Sequence, residues 1–195
     1  MKTILLFGIS CVGKTTVGKL LADRLGYGFF DLDEETKKYY GMSLEEFVHT
    51  GNLRDRDEMR GEVLKYIADL NQDKVVAVTP MSYAYCFSDL LEWDNVIAFV
   101  LEDTPENIFE RLVFSDENDV VYKDDEYKNA HKEHYLEEIA EDISCYNWNA
   151  FRLIGNKCNV NGDKPEIVVE RLVDMLGVDD SIEKVLTEVN NGEKT

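Results

Sequence analysis

The chain has 195 residues, and its 40 acidic against 21 basic side chains give a formal net charge of −19. This length fits one domain, and this charge repels nucleic acid and anionic membrane surfaces, so a small-molecule partner is favoured. No apolar stretch approaches the ~20 residues that a membrane-spanning helix needs, and the widely separated cysteines predict reduced thiols. We expect a monomeric, cytoplasmic protein that binds neither nucleic acid nor membrane.

The first quarter of the chain predicts a strand, a glycine-rich loop and a helix, followed by a second strand and short helices. The continuous apolar run at 3–7 is typical of a buried parallel strand. From Lys14 the apolar residues recur at helical spacing, and Gly26 is a favourable helix stop. The aromatic pair at 29–30 predicts a second strand that runs into two aspartates. Two short helices, divided at Gly41, follow.

The rest of the chain alternates helices with apolar strands as far as residue 177. Strands that alternate with helices imply an α/β fold with a parallel sheet covered on both faces. We predict one domain over 1–177, with a polar lid at about 115–127 and an acidic tail at 178–195. The predicted elements are a helix over about 55–70, strands at 75–79 and 96–101, a helix that starts with Pro105, a helix around 135–143, a short strand near 158–160 and a closing helix at 165–176.

The glycine-rich loop carries the strongest chemical signal in the sequence. Residues 8–15 read GISCVGKT and match the phosphate-binding pattern G-x-x-x-x-G-K-[ST] at every fixed position. Glycines let the backbone approach a polyphosphate, and backbone N–H groups with the following helix N-terminus supply positive potential. In such a loop Lys14 bridges the β- and γ-phosphates of ATP, and the Thr15 hydroxyl binds Mg²⁺. The predicted ATP-binding residues of the loop are Gly8, Ser10, Cys11, Val12, Gly13, Lys14, Thr15 and Thr16.

Two aspartates leave the end of the second predicted strand beside this loop. Because side chains alternate along an extended strand, Asp31 and Asp33 cannot both face one ligand unless the backbone turns there. Two separate roles follow, with Asp31 toward the magnesium ion and Asp33 toward an acceptor hydroxyl that it would orient or deprotonate. The alternative is a solvated strand end in which an aspartate caps the next helix.

The segment 13–51 resembles shikimate kinases in three motifs. These are the GKTTVGKLLA start, the Asp-x-Asp pair and the stretch GMSLEEFVHTG that ends in glycine. The resemblance is clear over residues 1 to about 60 and weaker over the rest. It implies a three-layer P-loop kinase fold with a five-stranded parallel sheet flanked by helices, acceptor-binding helices at about 34–60 and a closing lid.

The same resemblance implies roles for individual residues. Asp31 matches the aspartate on the magnesium side, and Asp33 matches the one that contacts the acceptor hydroxyls. Arg56 matches an arginine that grips the shikimate carboxylate, and Arg111 lies near the position of an arginine at the nucleotide. The alternative for Arg56 is a solvated helix start, since the run at 54–57 reads RDRD.

Three stretches depart from the family pattern. Where the family has a glycine triplet after the third strand, this chain has Thr79-Pro80-Met81-Ser82. At the position of the second carboxylate-binding arginine it has Asn147, with Arg152 close by. The lid lacks the family's arginine, which leaves these bases as candidate lid cations: Lys123, Lys128 and Lys132.

The sequence therefore predicts an ATP-dependent kinase that transfers the γ-phosphate to a hydroxyl of shikimate or a similar hydroxylated acid, with Mg²⁺ as cofactor. Lys14 and Asp33 are the predicted catalytic residues. Thr15 and Asp31 are assigned to the metal, and Asp33 and Arg56 to the acceptor. Two alternatives stay open: a paralogous kinase for a sugar acid or a nucleotide, and a nucleotide-binding sensor without turnover.

Overall fold

Five parallel strands form the centre of the fold. The computed structural model describes residues 1–114 and 125–177, so most of the predicted lid and the whole acidic tail lie outside the described residues. The strands stand in the order β2-β3-β1-β4-β5, and the central strand β1 is buried along its whole length, as its continuous apolar sequence predicts. The strands are β1 (Thr3–Phe7), β2 (Gly28–Asp31), β3 (Lys74–Ala77), β4 (Val96–Glu102) and β5 (Asn156–Asn159).

Helices flank this sheet and complete the predicted α/β fold. Helix α1 packs against α8 and β3, α2 packs against α4, and α5 packs against α7. None of the described helices combines the length and apolar composition needed to cross a membrane. The helices are α1 (Lys14–Leu25), α2 (Leu32–Tyr40), α3 (Leu44–Val48), α4 (Leu53–Asp69), α5 (Pro105–Glu110), α6 (Glu126–Ala130), α7 (Lys132–Asn149) and α8 (Pro165–Leu176), with short 3₁₀ segments at Ala84–Cys86, Ser88–Glu92 and Phe151–Leu153.

The structure corrects the sequence prediction where the second strand ends. The strand is predicted to run into Asp31 and Asp33, but β2 stops at Asp31 and α2 begins at Leu32. Asp31 caps this helix, because its side chain accepts a hydrogen bond from the backbone N–H of Asp33. The backbone therefore turns between the two aspartates, which is the condition that allows both to face one site.

Helix α4 also differs slightly from its prediction. It begins at Leu53 rather than near residue 55, because the side chain of Asn52 accepts hydrogen bonds from two backbone N–H groups of the first turn. The side chain of Asp55 accepts in return from the N–H of Asn52, which completes a capping box. These caps fix the first turn of α4 and with it the backbone position of Arg56.

Candidate active site

The loop between β1 and α1 has a backbone that needs glycine at two points. Gly8 has φ +142°, and a Cβ built on it would lie 2.7 Å from the carbonyl oxygen of Leu101. Gly13 has φ +110°, which side-chain-bearing residues rarely adopt. The side chain of Val12 is buried in the core, so this residue can offer a phosphate only its backbone. The loop has the curved backbone of an anion-binding site.

Lys14, the first residue of α1, turns its ammonium group back onto this loop. Its Nζ donates to the carbonyl oxygens of Gly8 at 2.9 Å and Ile9 at 2.8 Å. Burial lowers the pKa of Lys14 from 10.5 to about 8, against the opposing effect of neighbouring acidic groups. A bound polyphosphate would favour the charged form and offset the cost of burying it.

Thr15 and Asp31 form a pair of oxygen ligands suited to magnesium. The Thr15 hydroxyl donates to Oδ2 of Asp31 at 2.8 Å, while Oδ1 of Asp31 caps α2. Two adjacent ligands of an octahedral Mg²⁺, each about 2.1 Å from the ion, stand roughly 3 Å apart. The spacing and the chemistry of this pair therefore fit a magnesium ion.

Arg111 ties the phosphate loop to the end of β4. Its Nε donates to the carbonyl oxygen of Cys11 at 3.0 Å, and its Nη2 donates to Oδ2 of Asp103 at 2.6 Å. Burial acts to raise the pKa of Asp103, but hydrogen bonds from Asn107 and Arg111 outweigh burial and lower the pKa overall. The guanidinium is thus held beside the phosphate loop by a buried, ionised carboxylate.

Two adjoining cavities at the carboxyl ends of the strands are lined by most of the predicted site residues, but not by Gly8, Val12 or Arg56. Lys14 and Thr15 line both cavities. A cavity of about 190 Å³ is lined by Ser10, Cys11, Lys14, Thr15, Asp31, Asp33, Ala77, Thr79 and Pro80. A neighbouring cavity of about 360 Å³ is lined by Cys11, Gly13, Lys14, Thr15, Thr16 and Arg111. The edge of a parallel sheet where strands end is the usual place for such a site.

Asp33 makes its side-chain contact with an arginine that the sequence did not single out. Nη2 of Arg60 lies 3.2 Å from Oδ1 of Asp33, and the pair joins α2 to α4. The Arg60 guanidinium also lies over the ring of Phe47, 4.8 Å from its centroid. Asp33 thus reaches the cavity from the first turn of α2 while one of its oxygens is held by α4.

Arg56 lies one helical turn before Arg60 on α4, so both side chains project from the same side of the helix. Its Nη1 donates to the carbonyl oxygens of Thr50 and Gly51 at the long distances of 3.4 and 3.3 Å. Among the described residues, Arg56 forms no ion pair with a carboxylate. Its guanidinium therefore keeps donors for an anionic ligand.

The segment 79–82, which stands where the family has a glycine triplet, borders the same site. Thr79 and Pro80 line the cavity that contains both aspartates, and Met81 is buried. The N–H groups of Ser82 and Tyr83 donate to Oδ2 of Asp57 at 2.7 and 3.1 Å. A carboxylate on α4 therefore fixes this segment, which brings side chains to the site where the family has glycine.

The other departures that the structure describes lie on α6, on α7 and in the 3₁₀ segment after α7. Asn147 lines a small, mostly apolar cavity, and Arg152 lies over the ring of Trp148 at 5.9 Å. Of the candidate lid cations, Lys123 lies outside the described residues. Lys128 donates to the carbonyl oxygen of Glu110 at 2.9 Å, and Lys132 lies 5.4 Å from the ring of Phe109. These two lysines accordingly lie against α5.

Sequence reasoning missed three residues that shape the site, namely Arg60, Asp57 and Asp103. The buried Asp57 stands inside the charged run RDRD, which is also the pattern of a solvated helix start. Arg60 follows Arg56 by four residues, and this helical spacing was the available signal for a second arginine on the same side of α4. Asp103 carries no such signal, because its contact with Arg111 depends on where α5 ends and its contact with Gly162 joins residues 59 positions apart.

Comparison with known proteins identifies the family. The family model described as shikimate kinase matches residues 10–176. The shikimate kinase of Thermodesulfovibrio yellowstonii is 37% identical over 113 residues, which are 57% of this chain and 64% of that protein. The shikimate kinase of Alkaliphilus oremlandii is 39% identical over 75 residues, which are 38% of this chain and 44% of that protein. The chain thus spans less than two thirds of these curated relatives.

Solved structures show the same fold over most of the chain. The shikimate kinase of Aquifex aeolicus is 27% identical with a TM-score of 0.61, and the match covers 90% of this chain and 96% of that one. Both the order of elements and the five-stranded sheet agree with the P-loop kinase fold predicted from the sequence. Because the family model spans all but the two ends of the sequence, the chain belongs to the shikimate kinase family.

Proposed function

We propose that this chain is a kinase that transfers the γ-phosphate of ATP to a hydroxyl of shikimate. One observation carries the proposal: Lys14, Thr15, Asp31 and Asp33 line one cavity, so a phosphate-binding loop and an acceptor-side carboxylate face the same space. Membership in the shikimate kinase family, which uses ATP as the phosphate donor, supports this donor and this acceptor.

On the donor side, the loop 8–16 would bind the phosphates of ATP through its backbone N–H groups and the N-terminus of α1. Lys14 would move from the carbonyl oxygens of the loop to the β- and γ-phosphates. Arg111, held by Asp103 beside the loop, would contact the nucleotide. Thr15 and Asp31 would hold Mg²⁺, which when bound neutralises charge on the phosphate oxygens.

On the acceptor side, Asp33 would orient the hydroxyl and accept its proton. The hydroxyl oxygen then forms a bond to the γ-phosphorus, the bond between that phosphorus and the β–γ bridging oxygen breaks, and ADP leaves. Lys14 stabilises the charge that develops on the phosphates. Arg56 would bind the carboxylate of shikimate through the guanidinium N–H groups that do not donate to Thr50 and Gly51.

We also propose that residues 1–177 work as one kinase domain, in which the segment 34–60 binds the acceptor. The contacts of α2 with α4, and of Asp33 with Arg60, support an acceptor site built on this segment. The closing role of residues 115–127, a monomeric state and a cytoplasmic location stay predictions from the sequence.

An acceptor panel tests the proposed function. ATP consumption is measured in a coupled assay with shikimate, gluconate and nucleoside monophosphates, and ³¹P NMR identifies each product. We expect phosphorylated shikimate to form in the presence of Mg²⁺ and to disappear when the metal is chelated. Folded, magnesium-loaded protein that leaves shikimate unphosphorylated would contradict the proposal. Turnover with another acceptor would then identify a paralogous kinase, and ATP binding without turnover would identify a sensor.

A further inference from the structure

Arg60 stands between two carboxylates of the acceptor side. Its Nη2 lies 3.2 Å from Oδ1 of Asp33 on α2, and its Nη1 lies 3.8 Å from Oδ1 of Asp57 on α4. The side chain of Arg60 is only 13% exposed, and the ring of Phe47 covers the guanidinium at 4.8 Å. A planar guanidinium that is hydrogen-bonded to one carboxylate, ion-paired with a second and covered by an aromatic ring has little freedom to rotate.

Asp57 anchors this arrangement from the inside. Its side chain has no exposed surface, and its Oδ2 accepts hydrogen bonds from the N–H groups of Ser82 and Tyr83. Burial raises the pKa of Asp57, an effect that these two hydrogen bonds and the charge of Arg60 oppose. The same carboxylate therefore fixes Arg60 on one side and the segment after β3 on the other.

Arg60 itself is not arranged to touch an acceptor. Its Nε and Oδ1 of Asp57 are both closed to solvent and have no hydrogen-bond partner among the described residues. Asp33 is different, because 38% of its side chain is exposed and it lines the cavity with Lys14 and Thr15. Any effect of Arg60 on phosphoryl transfer would therefore pass through Asp33.

We propose that Arg60 is a positioning residue that holds the carboxylate of Asp33 toward the acceptor hydroxyl, and that Asp57 holds Arg60. The inference rests on the proposed function, in which Asp33 orients the hydroxyl and accepts its proton. A side chain at the exposed first turn of a helix has several rotamers, and an ion pair to one oxygen selects among them. Such selection acts on catalysis because small misplacements of a reacting group cost large factors in rate.

Four proteins test this inference in a double-mutant cycle: wild type, Arg60→Met, Asp33→Ala and the double variant. We expect Arg60→Met to lower kcat roughly 10- to 100-fold while the KM for ATP stays nearly constant. The double variant should be no slower than Asp33→Ala alone, because Arg60 has no effect without Asp33. Arg54→Met is the matched control, since Arg54 lies on the same helix and is exposed.

Two further variants separate positioning from folding. Arg60→Met leaves the buried Asp57 without its cation, and an uncompensated buried charge destabilises a fold. The variant Arg60→Met with Asp57→Asn removes that charge and keeps an oxygen for Ser82 and Tyr83, so it should fold and show the same loss in kcat. Arg60→Lys keeps the charge without the planar fork and should restore part of kcat.

Wild-type kcat in the folded Arg60 variants, or losses that multiply with those of Asp33→Ala, would overturn the inference. A purely structural ion pair would lower the thermal stability and leave kcat of the folded fraction unchanged. Failure of the proposed function looks different, because it is seen in the wild type with shikimate. The double-mutant cycle uses the acceptor that the wild type phosphorylates. Activity of the wild type therefore tests the proposed function, and the differences among the variants test the role of Arg60.

Discussion

The donor side and the acceptor side of this site are built in different ways. On the proposed donor side, one loop and the start of α1 would bind phosphate mainly through backbone N–H groups that glycines leave accessible. The proposed acceptor side combines side chains of α2 and α4 with the segment after β3, whose backbone N–H groups donate to Asp57. A single substitution therefore removes one contact on the acceptor side, whereas the backbone groups of the donor side depend on the conformation of the whole loop.

The largest expected effect lies on the donor side. Lys14→Met should reduce kcat roughly a thousandfold with any acceptor, because the lysine contributes to transition-state charge stabilisation that does not depend on the acceptor. Steady-state kinetics with shikimate measure the loss, and isothermal titration calorimetry with ATP measures the accompanying loss of affinity.

The matched control for this variant is Lys19→Met. Lys19 lies on the same helix and is exposed, and its Nζ lies 5.8 Å from the ring of Phe29 rather than on the loop. It should retain wild-type kinetics. A Lys14→Met protein within tenfold of wild-type kcat would show that the loop binds nucleotide without taking part in transfer, and the contrast between the two sides would lose its basis.

The fold could be predicted from the sequence because its signals are local. The apolar runs of β1, β3 and β4 are the buried strands, and Pro105 begins α5 as expected. The end of β2 could not be predicted, because the sequence around Asp31 is compatible both with a continuing strand and with a helix capped by aspartate. Capping by Asp31 decided in favour of the helix.

The same difference between local and distant signals applies to the candidate site. The phosphate loop was predicted residue by residue, since its pattern lies within eight consecutive positions. The contacts of Asp33 with Arg60 and of Asp57 with Ser82 join residues 27 and 25 positions apart. They depend on how α2, α4 and the segment after β3 pack together, and no local pattern in a single sequence encodes that packing.

An intermediate effect is expected on the acceptor side. Arg56→Met should raise the KM for shikimate roughly 10- to 100-fold, because hydrogen bonds to a charged group contribute about 1.5–3 kcal/mol and 1.4 kcal/mol is tenfold. The KM for ATP and kcat should stay close to wild type. Arg54→Met is again the control, because Arg54 pairs with Glu58 and Tyr85 at the surface. A KM for shikimate that stays at the wild-type value in both variants would show that Arg56 belongs to a solvated helix start.

The smallest effect concerns the protonation of Lys14. Burial disfavours its charged form, so its pKa is lowered to about 8. Below this pH Lys14 is mostly charged and can bind a phosphate directly, whereas above it Lys14 must first take up a proton. The affinity for ATP should therefore fall about twofold from pH 7 to pH 8 and roughly tenfold from pH 7 to pH 9.

Calorimetry in buffers of different ionisation enthalpy measures this linkage directly. Near pH 8 about half a proton should be taken up for each ATP bound, because the phosphates restore the charge on Lys14. Cys11 lies in the same loop and is exposed, which makes Cys11→Ser the decisive control. Loss of the proton uptake in Cys11→Ser would contradict its assignment to Lys14. Proton uptake that persists in Cys11→Ser and disappears in Lys14→Met would assign the titration to Lys14. The burial of this lysine would then set the pH range of nucleotide binding.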